Sequence, residues 1–469
     1  MARFRAMVVM AAVTATLLAG FTNGPTSPTA SPEPEEPTAP SVPVAIPDTP
    51  AGRATEWVLG RLDAGSGPSA AEAREQFAAV FLAEIAAEDV AGVFDQIRAL
   101  GPFDVTGYAE GPVEGGVTAQ TEVTGRAEAG FLLLVSVDAE GLIQGLFLRA
   151  APELPAIAGY DDVVDALGDA GDEGSYLLAR VEDDGGCEPV ASFEPDELRP
   201  VGSVFKLYVL AAVVHAVSEG TLGWEDTLTL TDEVKSLPTG TLQDEPAGTQ
   251  VTVREAAALM ISISDNTATD LLIDAVGRPA VEAAVSRLGH DEPEVLRPFL
   301  TTRELFQLAF AGGGRRSEWT SETGSDPLTA DPAASERQLA LAQGLPGGAI
   351  AYDPELLGSP AWPIGLDWFA TASDVCRAHA ALAELAQSEA GAPVGEILSR
   401  NPGIEDRAGM DYVAFKGGSA PGEIAGSWYV EAGGDRFVLV VQVASREGTV
   451  PGGAWLVSVA EQTLALALG

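Results

Sequence analysis

The chain has 469 residues, 46% of them apolar and 20% charged, a globular composition with enough length for two or three domains, which argues against global disorder. Sixty-nine acidic residues against 26 basic ones leave a net charge of −43, which repels phosphate backbones and anionic lipid surfaces and removes nucleic acid from the candidate partners. Two cysteines, and three histidines (His215, His290, His379) without H-x-H or HExxH spacing, make neither a disulfide-dense scaffold nor a metal-hydrolase site, so no metal and no cofactor are expected.

The N-terminus carries Arg3 and Arg5, then an apolar run from Met7 to Phe21, which reads as an export signal over residues 1–24. Leu17-Leu18-Ala19-Gly20 is followed by Phe21, where a lipoprotein would place its modifiable cysteine. Lipid anchoring at residue 21 is therefore chemically excluded, which leaves secretion after cleavage or tethering through an uncleaved segment. Either outcome puts the chain outside the cytoplasm, with no membrane association beyond the signal. Residues 25–50 are rich in Pro, Thr, Ser and Ala and read as an extended linker.

Residues 51–152 read as a small α+β domain. Ser69 and Glu72 form a capping box before a helical pattern through Phe77, Val80, Phe81 and Ile85, and a second helix follows through Val90, Phe94, Ile97 and Leu100. Four short strands are expected over 103–109, 117–124, 131–137 and 142–148. Residues 153–469 read as a larger α/β domain. Strands near 176–181 and 189–193 precede a helix from Ser203 to Ser218, and strands near 427–432 and 437–444 precede a final helix over 453–468. The first and last strands must pair, giving an antiparallel sheet flanked by helices with a helical insertion between its halves.

The 26 basic residues comprise 23 arginines and only three lysines: Lys206, Lys235 and Lys416. Arginine replaces lysine wherever a solvated charge suffices, but it cannot give up its proton, so the surviving lysines are candidates for chemistry. Lys206 closes Ser203-Val204-Phe205-Lys206, an S-x-x-K whose spacing puts both side chains on one helix face. Alone, this spacing also fits a capping serine with a solvated lysine. Here the lysine sits in an apolar run, and burial lowers an amine's pKa toward that of a usable base. Ser264-Asp265-Asn266 follows an apolar helix over 253–263. Phe415-Lys416-Gly417-Gly418-Ser419 precedes the last two strands and reads as an edge strand whose glycines allow close approach of a substrate.

These three elements in this order resemble the serine β-lactamase and penicillin-binding protein superfamily, with its S-x-x-K, S-D-N and K-T-G motifs. The layout, a small exported module before a K-G-G variant, resembles the β-lactamase-like proteins associated with clavulanate gene clusters and their mycobacterial lipoprotein relatives. The resemblance implies that Ser203 is the acyl-accepting nucleophile, Lys206 its base and Ser264 a proton relay. It further implies that Asn266 and Lys416 contact substrate, Lys416 through a substrate carboxylate, and that the backbone at Gly418 and Ser419 lines the site. The N–H groups of Ser203 and Ser419 would form the oxyanion hole.

Two departures stand out. Gly417 replaces a residue whose hydroxyl would help hold the substrate carboxylate. The Glu-x-x-Leu-Asn loop that class A enzymes use to activate the deacylating water has no match near Glu292 and Glu294, and the spacing to Lys416 implies an insertion within roughly 301–368. An acyl-enzyme hydrolase acting on a small β-lactam or ester, with weak turnover and slow deacylation, is the leading expectation. A D-alanyl-D-alanine peptidase acting on cell-wall peptide and a non-catalytic wall-binding module are the alternatives. Cys187 and Cys376 are read as two separate buried thiols, with a disulfide after export as the alternative.

Overall fold

A computed structural model describes residues 44–469 except 114, 127–128, 152–153, 238, 324–330, 406 and 447. The expected export signal and the linker up to residue 43 lie outside the described residues. The chain divides into two compact units, Met1–Pro152 and Glu153–Gly469.

In the first unit, helix α1 (Pro50–Asp63) begins inside the stretch read as linker. Thr49 Oγ1 accepts the Gly52 N–H, and Pro50, which in isolation reads as a breaker, stands in the first turn, where its missing N–H costs nothing. The single helix expected from Ser69 to Ile85 is two helices, α2 (Ala70–Gln76) and α3 (Ala79–Glu84). The break falls at Phe77, which is extended and bridges to Ile143, while Ala78 N donates to Ile143 O at 2.8 Å. Helix periodicity runs through this point unchanged, and a tertiary pairing overrides it. Helix α4 (Val90–Arg98) precedes strands β1 (Asp104–Val113), β2 (Gly116–Thr124), β3 (Gly130–Asp138) and β4 (Ile143–Ala150), an antiparallel meander in sequential order. Val58, Phe77, Phe94, Leu133 and Ile143 form its core.

The second unit opens with α5 (Tyr160–Ala170), β5 (Glu173–Val181), β6 (Cys187–Phe193) and the short β7 (Arg199–Pro200). A 3₁₀ turn, Gly202–Phe205, leads into α6 (Lys206–Ser218). Next come β8 (Thr227–Thr229), β9 (Gln250–Thr252), α7 (Val253–Ser262), α8 (Asn266–Val276) and α9 (Arg278–Arg287). The 301–368 stretch holds α10 (Thr302–Phe310), α11 (Arg315–Thr323) and α12 (Pro332–Gln343). The chain closes through β10 (Phe369–Ala370), α13 (Ala372–Leu385), α14 (Val394–Ser399), β11 (Tyr412–Ala420), β12 (Glu423–Ala432), β13 (Asp435–Ala444) and α15 (Gly453–Leu468).

The main sheet is antiparallel in the order β11-β12-β13-β5-β6, so the first strand and the last strand of the unit do pair, and β11 is an edge. Tyr176 and Leu178 of β5 face a core built with Trp428, Val459 and Leu464, whereas Leu177 and Ala179 face the core around α6 and α13. Burial of both faces explains why β12 and β13 read as nearly continuous apolar runs instead of alternating. Helix α6 is buried from Lys206 through Val214, a helix that is apolar all round because the unit packs around it.

Cys187 on the edge strand β6 and Cys376 on α13 form a disulfide across 189 residues of chain, which corrects the reading of two separate thiols. The pairing depends on α13 lying across the sheet toward β6, a tertiary relation that cysteine count does not contain.

Candidate active site

Ser203 occupies the 3₁₀ turn that feeds α6. In a 3₁₀ turn residues i and i+3 eclipse, so Ser203 and Lys206 fall on the same side. Lys206 is fully buried, and its Nζ lies 2.6 Å from Ser264 O, 3.0 Å from Ser264 Oγ and 2.7 Å from Asn266 Oδ1. Among the described residues no hydrogen bond joins Lys206 to Ser203, so the lysine is anchored to the S-D-N turn and not yet to the nucleophile. Burial pulls the Lys206 amine well below the ordinary lysine range, and the neighbouring Lys416 adds to this.

The S-D-N residues sit where α7 ends and α8 begins. Ser264 has a left-handed backbone (φ 57°), a conformation that costs a non-glycine residue about 1–3 kcal/mol and persists only when its surroundings impose it. Asp265 supplies that constraint: fully buried, its carboxylate accepts the N–H groups of Thr241, Leu242 and Ala268, capping α8 and tying down a neighbouring loop. The result aims Ser264 Oγ between two amines, Lys206 Nζ at 3.0 Å and Lys416 Nζ at 3.1 Å. Lys416 is 2% exposed, also donates to Gly417 O at 2.6 Å, and is lowered by burial to about 7. Lys235 stands apart, paired at 3.2 Å with Asp232.

Edge strand β11 meets the Ser203 turn through two glycines. Gly202 has φ +46°, and a Cβ there would fall 2.9 Å from both Glu423 Oε1 and Ser419 N. A Cβ on Gly418 would fall 2.5 Å from Ser203 N. Only glycine at both positions brings the Ser203 and Ser419 backbones this close. Gly417 has a different neighbour: a Cβ there would meet the Phe415 ring at 2.7 Å. The missing hydroxyl therefore coincides with an aromatic ring beside the substrate space.

A cavity of about 520 Å³ opens over these groups. Ser203, Ser264, Asn266, Gly418 and Ser419 lie on its wall, with Phe306, Phe310, Phe415 and Trp368 supplying apolar surface. Lys206 and Lys416 lie behind the wall and reach the cavity through Ser264. Glu292 and Glu294 do not line it, nor do the three histidines. Two carboxyl groups that no sequence motif marked, Asp367 and Glu423, do line it. A signal for Glu423 existed in strand alternation, since the β11/β12 register puts Glu423, Ala425 and Ser427 on the face of Lys416. Asp367 had none. The arrangement can hold a carbonyl against Ser203 between two backbone donors, with a hydroxyl bridged to two amines of depressed basicity on the other side.

Residues 162–330 match the family described as the β-lactamase enzyme family, and residues 46–143 match the ORF 12 gene product N-terminal family. Among solved structures, a β-lactamase from Sphaerobacter thermophilus is 21% identical with a TM-score of 0.46, over 66% of this chain and 97% of its own. A variant of PBP-A, captured as an acyl-enzyme with penicillin G, is 18% identical with a TM-score of 0.44, over 68% and 98%. A β-lactamase from Chitinophaga pinensis is 18% identical with a TM-score of 0.42, over 66% and 98%. At these identities and scores the structural likenesses carry no argument.

Proposed function

We propose, from the match of residues 162–330 to the β-lactamase enzyme family and the three motifs of the site, that the chain is an exported serine hydrolase that forms an acyl-enzyme at Ser203 and releases it slowly. The observation that carries this reading is the Ser264 hydroxyl shared by two buried lysine amines, beside a serine whose backbone lies close against that of Ser419.

In the proposed acylation step, Ser203 Oγ forms a bond to the substrate carbonyl carbon while its proton passes to the neutral Lys206 amine. The carbonyl electron pair moves onto oxygen, held by the Ser203 and Ser419 N–H groups. Collapse of this intermediate breaks the bond to the leaving nitrogen or oxygen, which takes the proton of Ser264 Oγ. The Lys206 ammonium then restores that proton to Ser264. The Lys206-to-Ser203 approach belongs to the substrate complex, where catalytic hydrogen bonds tighten. Slow deacylation follows from the carboxyl groups at the cavity. Asp367 Oδ1 already accepts the N–H groups of Gly202 and Trp368, and Glu423 is 1% exposed, so neither is free to hold a water against the ester. The disulfide supports export, since such bonds persist in oxidising compartments.

Mixing the protein with a chromogenic cephalosporin tests the reading. A burst of about one equivalent and slow turnover are expected, with mass spectrometry placing the adduct on Ser203 and Ser203→Ala taking no label. A wild type that takes no label from penicillin or fluorophosphonate probes returns the chain to the wall-binding alternative, and linear turnover at hundreds per second would show an efficient deacylating group.

A further inference from the structure

Behind the Ser203 turn lies a group of atoms that the acylation step does not use. Asp367 Oδ1 accepts the Gly202 N–H at 3.2 Å and the Trp368 N–H at 2.7 Å. Glu423, the first residue of β12, points to the same spot, with Oε1 packed against the α-carbon side of Gly202. Among the described residues neither carboxyl oxygen of Glu423 makes a hydrogen bond, although both are buried, and the nearby Gly202 N–H is taken by Asp367. An ionised carboxylate left that way would forfeit several kcal/mol of solvation. The contradiction disappears if Glu423 keeps its proton and is itself the donor, with the Asp367 carboxylate as acceptor.

The surroundings agree. Among the described residues no ion pair reaches either carboxyl group. On the Asp367 side, Arg297, Glu294 and Asp331 line, together with Asp367, a second small cavity, where Arg297 and Glu294 pair with each other. On the β7 side, Arg199 is held by Glu173 and Glu194, and Arg446 by Glu173. On the sheet face shared with Glu423, Lys416 is committed to Ser264 and Gly417. Burial, with the Asp367 charge adding to it, raises Glu423 well above the ordinary carboxylate range, and burial raises Asp367 to about 7.

We propose that Asp367 and Glu423 are a proton-sharing carboxyl pair that positions the nucleophile turn: protonated Glu423 donates to Asp367, and Asp367 accepts the Gly202 N–H, holding the Ser203 N–H opposite that of Ser419. Both are positioning residues, acting on the oxyanion donors through the Gly202 backbone. Loss of the shared proton puts two carboxylates against each other and pushes the turn away from β11. This rests on the hydrolase reading for its catalytic consequence, while the proton itself is measurable without catalysis.

Two variants separate the parts. Glu423→Gln keeps a donor toward Asp367 without a titrating proton. It should acylate within about threefold of wild type near neutral pH and lack the alkaline fall in acylation rate that wild type shows. Glu423→Leu removes the donor and should acylate about 10²-fold more slowly, the loss expected when reacting groups are misplaced by about 1 Å. Thermal unfolding supplies the readout independent of activity. A carboxyl group raised in the folded state contributes stability that is fully present below its unfolded pKa and is lost as pH rises through the folded value. The melting temperature of Glu423→Gln should therefore gain on wild type steadily from pH 5 to 9. A melting difference that stays constant over that range overturns the shared proton, and Glu423→Leu acylating within threefold of wild type overturns the positioning role. If Glu423→Leu does not fold, persistence of the alkaline fall in Glu423→Gln does the same. A wild type that takes no acyl label sinks the hydrolase reading, and the melting comparison still decides the pair.

Discussion

Replacing Gly418 by alanine tests how the oxyanion site is assembled, because the change adds one methyl group and removes nothing. The new Cβ would press on Val201 O and would fall 2.5 Å from Ser203 N and 2.9 Å from Gly202 C. Comfortable contact lies near 3.5 Å, so strand β11 and the Ser203 turn must part by at least about 1 Å. All three neighbours are backbone, and no side chain can swing aside to absorb the shift. The two proposed oxyanion donors, Ser203 N–H and Ser419 N–H, sit on opposite sides of this contact and separate with it. Losing one such donor lowers rate by about 10² to 10³, so Gly418→Ala should acylate about 10²- to 10³-fold more slowly. Overpacking of this kind destabilises by about 1–3 kcal/mol, which leaves the protein folded. Stopped-flow measurement of the cephalosporin burst, alongside a thermal melt, reads both quantities. Gly417→Ala is the internal control: its Cβ meets only the Phe415 side chain and no backbone of the Ser203 turn, so acylation should stay within about tenfold of wild type. Acylation by Gly418→Ala within threefold of wild type would refute the argument that glycine is required for this approach.

Three further outcomes follow from the site. Lys206→Arg should slow acylation by about 10² to 10⁴, since arginine cannot take the Ser203 proton; an unchanged burst rate would show that the base is another group. With Lys416 lowered by burial to about 7, its ammonium loses its proton as pH rises through that value and with it the hold on a substrate carboxylate, so KM for a carboxylate-bearing β-lactam should rise from pH 5.5 to 8.5, and Lys416→Arg should flatten the rise because its charge persists. A rise of the same midpoint in Lys416→Arg would move the titration elsewhere. Thiol titration of the denatured, unreduced protein should find no free thiol, and reduction should lower stability by about 2–5 kcal/mol, the range for a bridge across a long loop; two reactive thiols, or a melt indifferent to reductant, would exclude the bridge.

What the sequence determined by itself is short in range. The spacing of Ser203 and Lys206, the apolar helix ending at Ser264-Asp265-Asn266, the glycine pair after Lys416 and the apolar runs that became β5, β12 and β13 are all visible locally, because turn geometry and side-chain periodicity act over a few residues. The scarcity of lysine added a compositional signal that picked out Lys206 and Lys416 before any contact was known. Tertiary structure decided the rest. Phe77 broke an uninterrupted helical pattern because a partner 66 residues away, Ile143, offered a bridge. Cys187 and Cys376 met because α13 lies across the sheet toward β6. Lys206 turned to Ser264 and Asn266, groups about sixty residues on, because those acceptors satisfy a buried amine that the adjacent serine alone cannot. Asp367 and Glu423 look like unremarkable loop and hairpin residues in the sequence. Only closure of the chain around Gly202 brings these two acids together out of water, and whether a carboxyl group keeps its proton depends on what surrounds it, which no local pattern records.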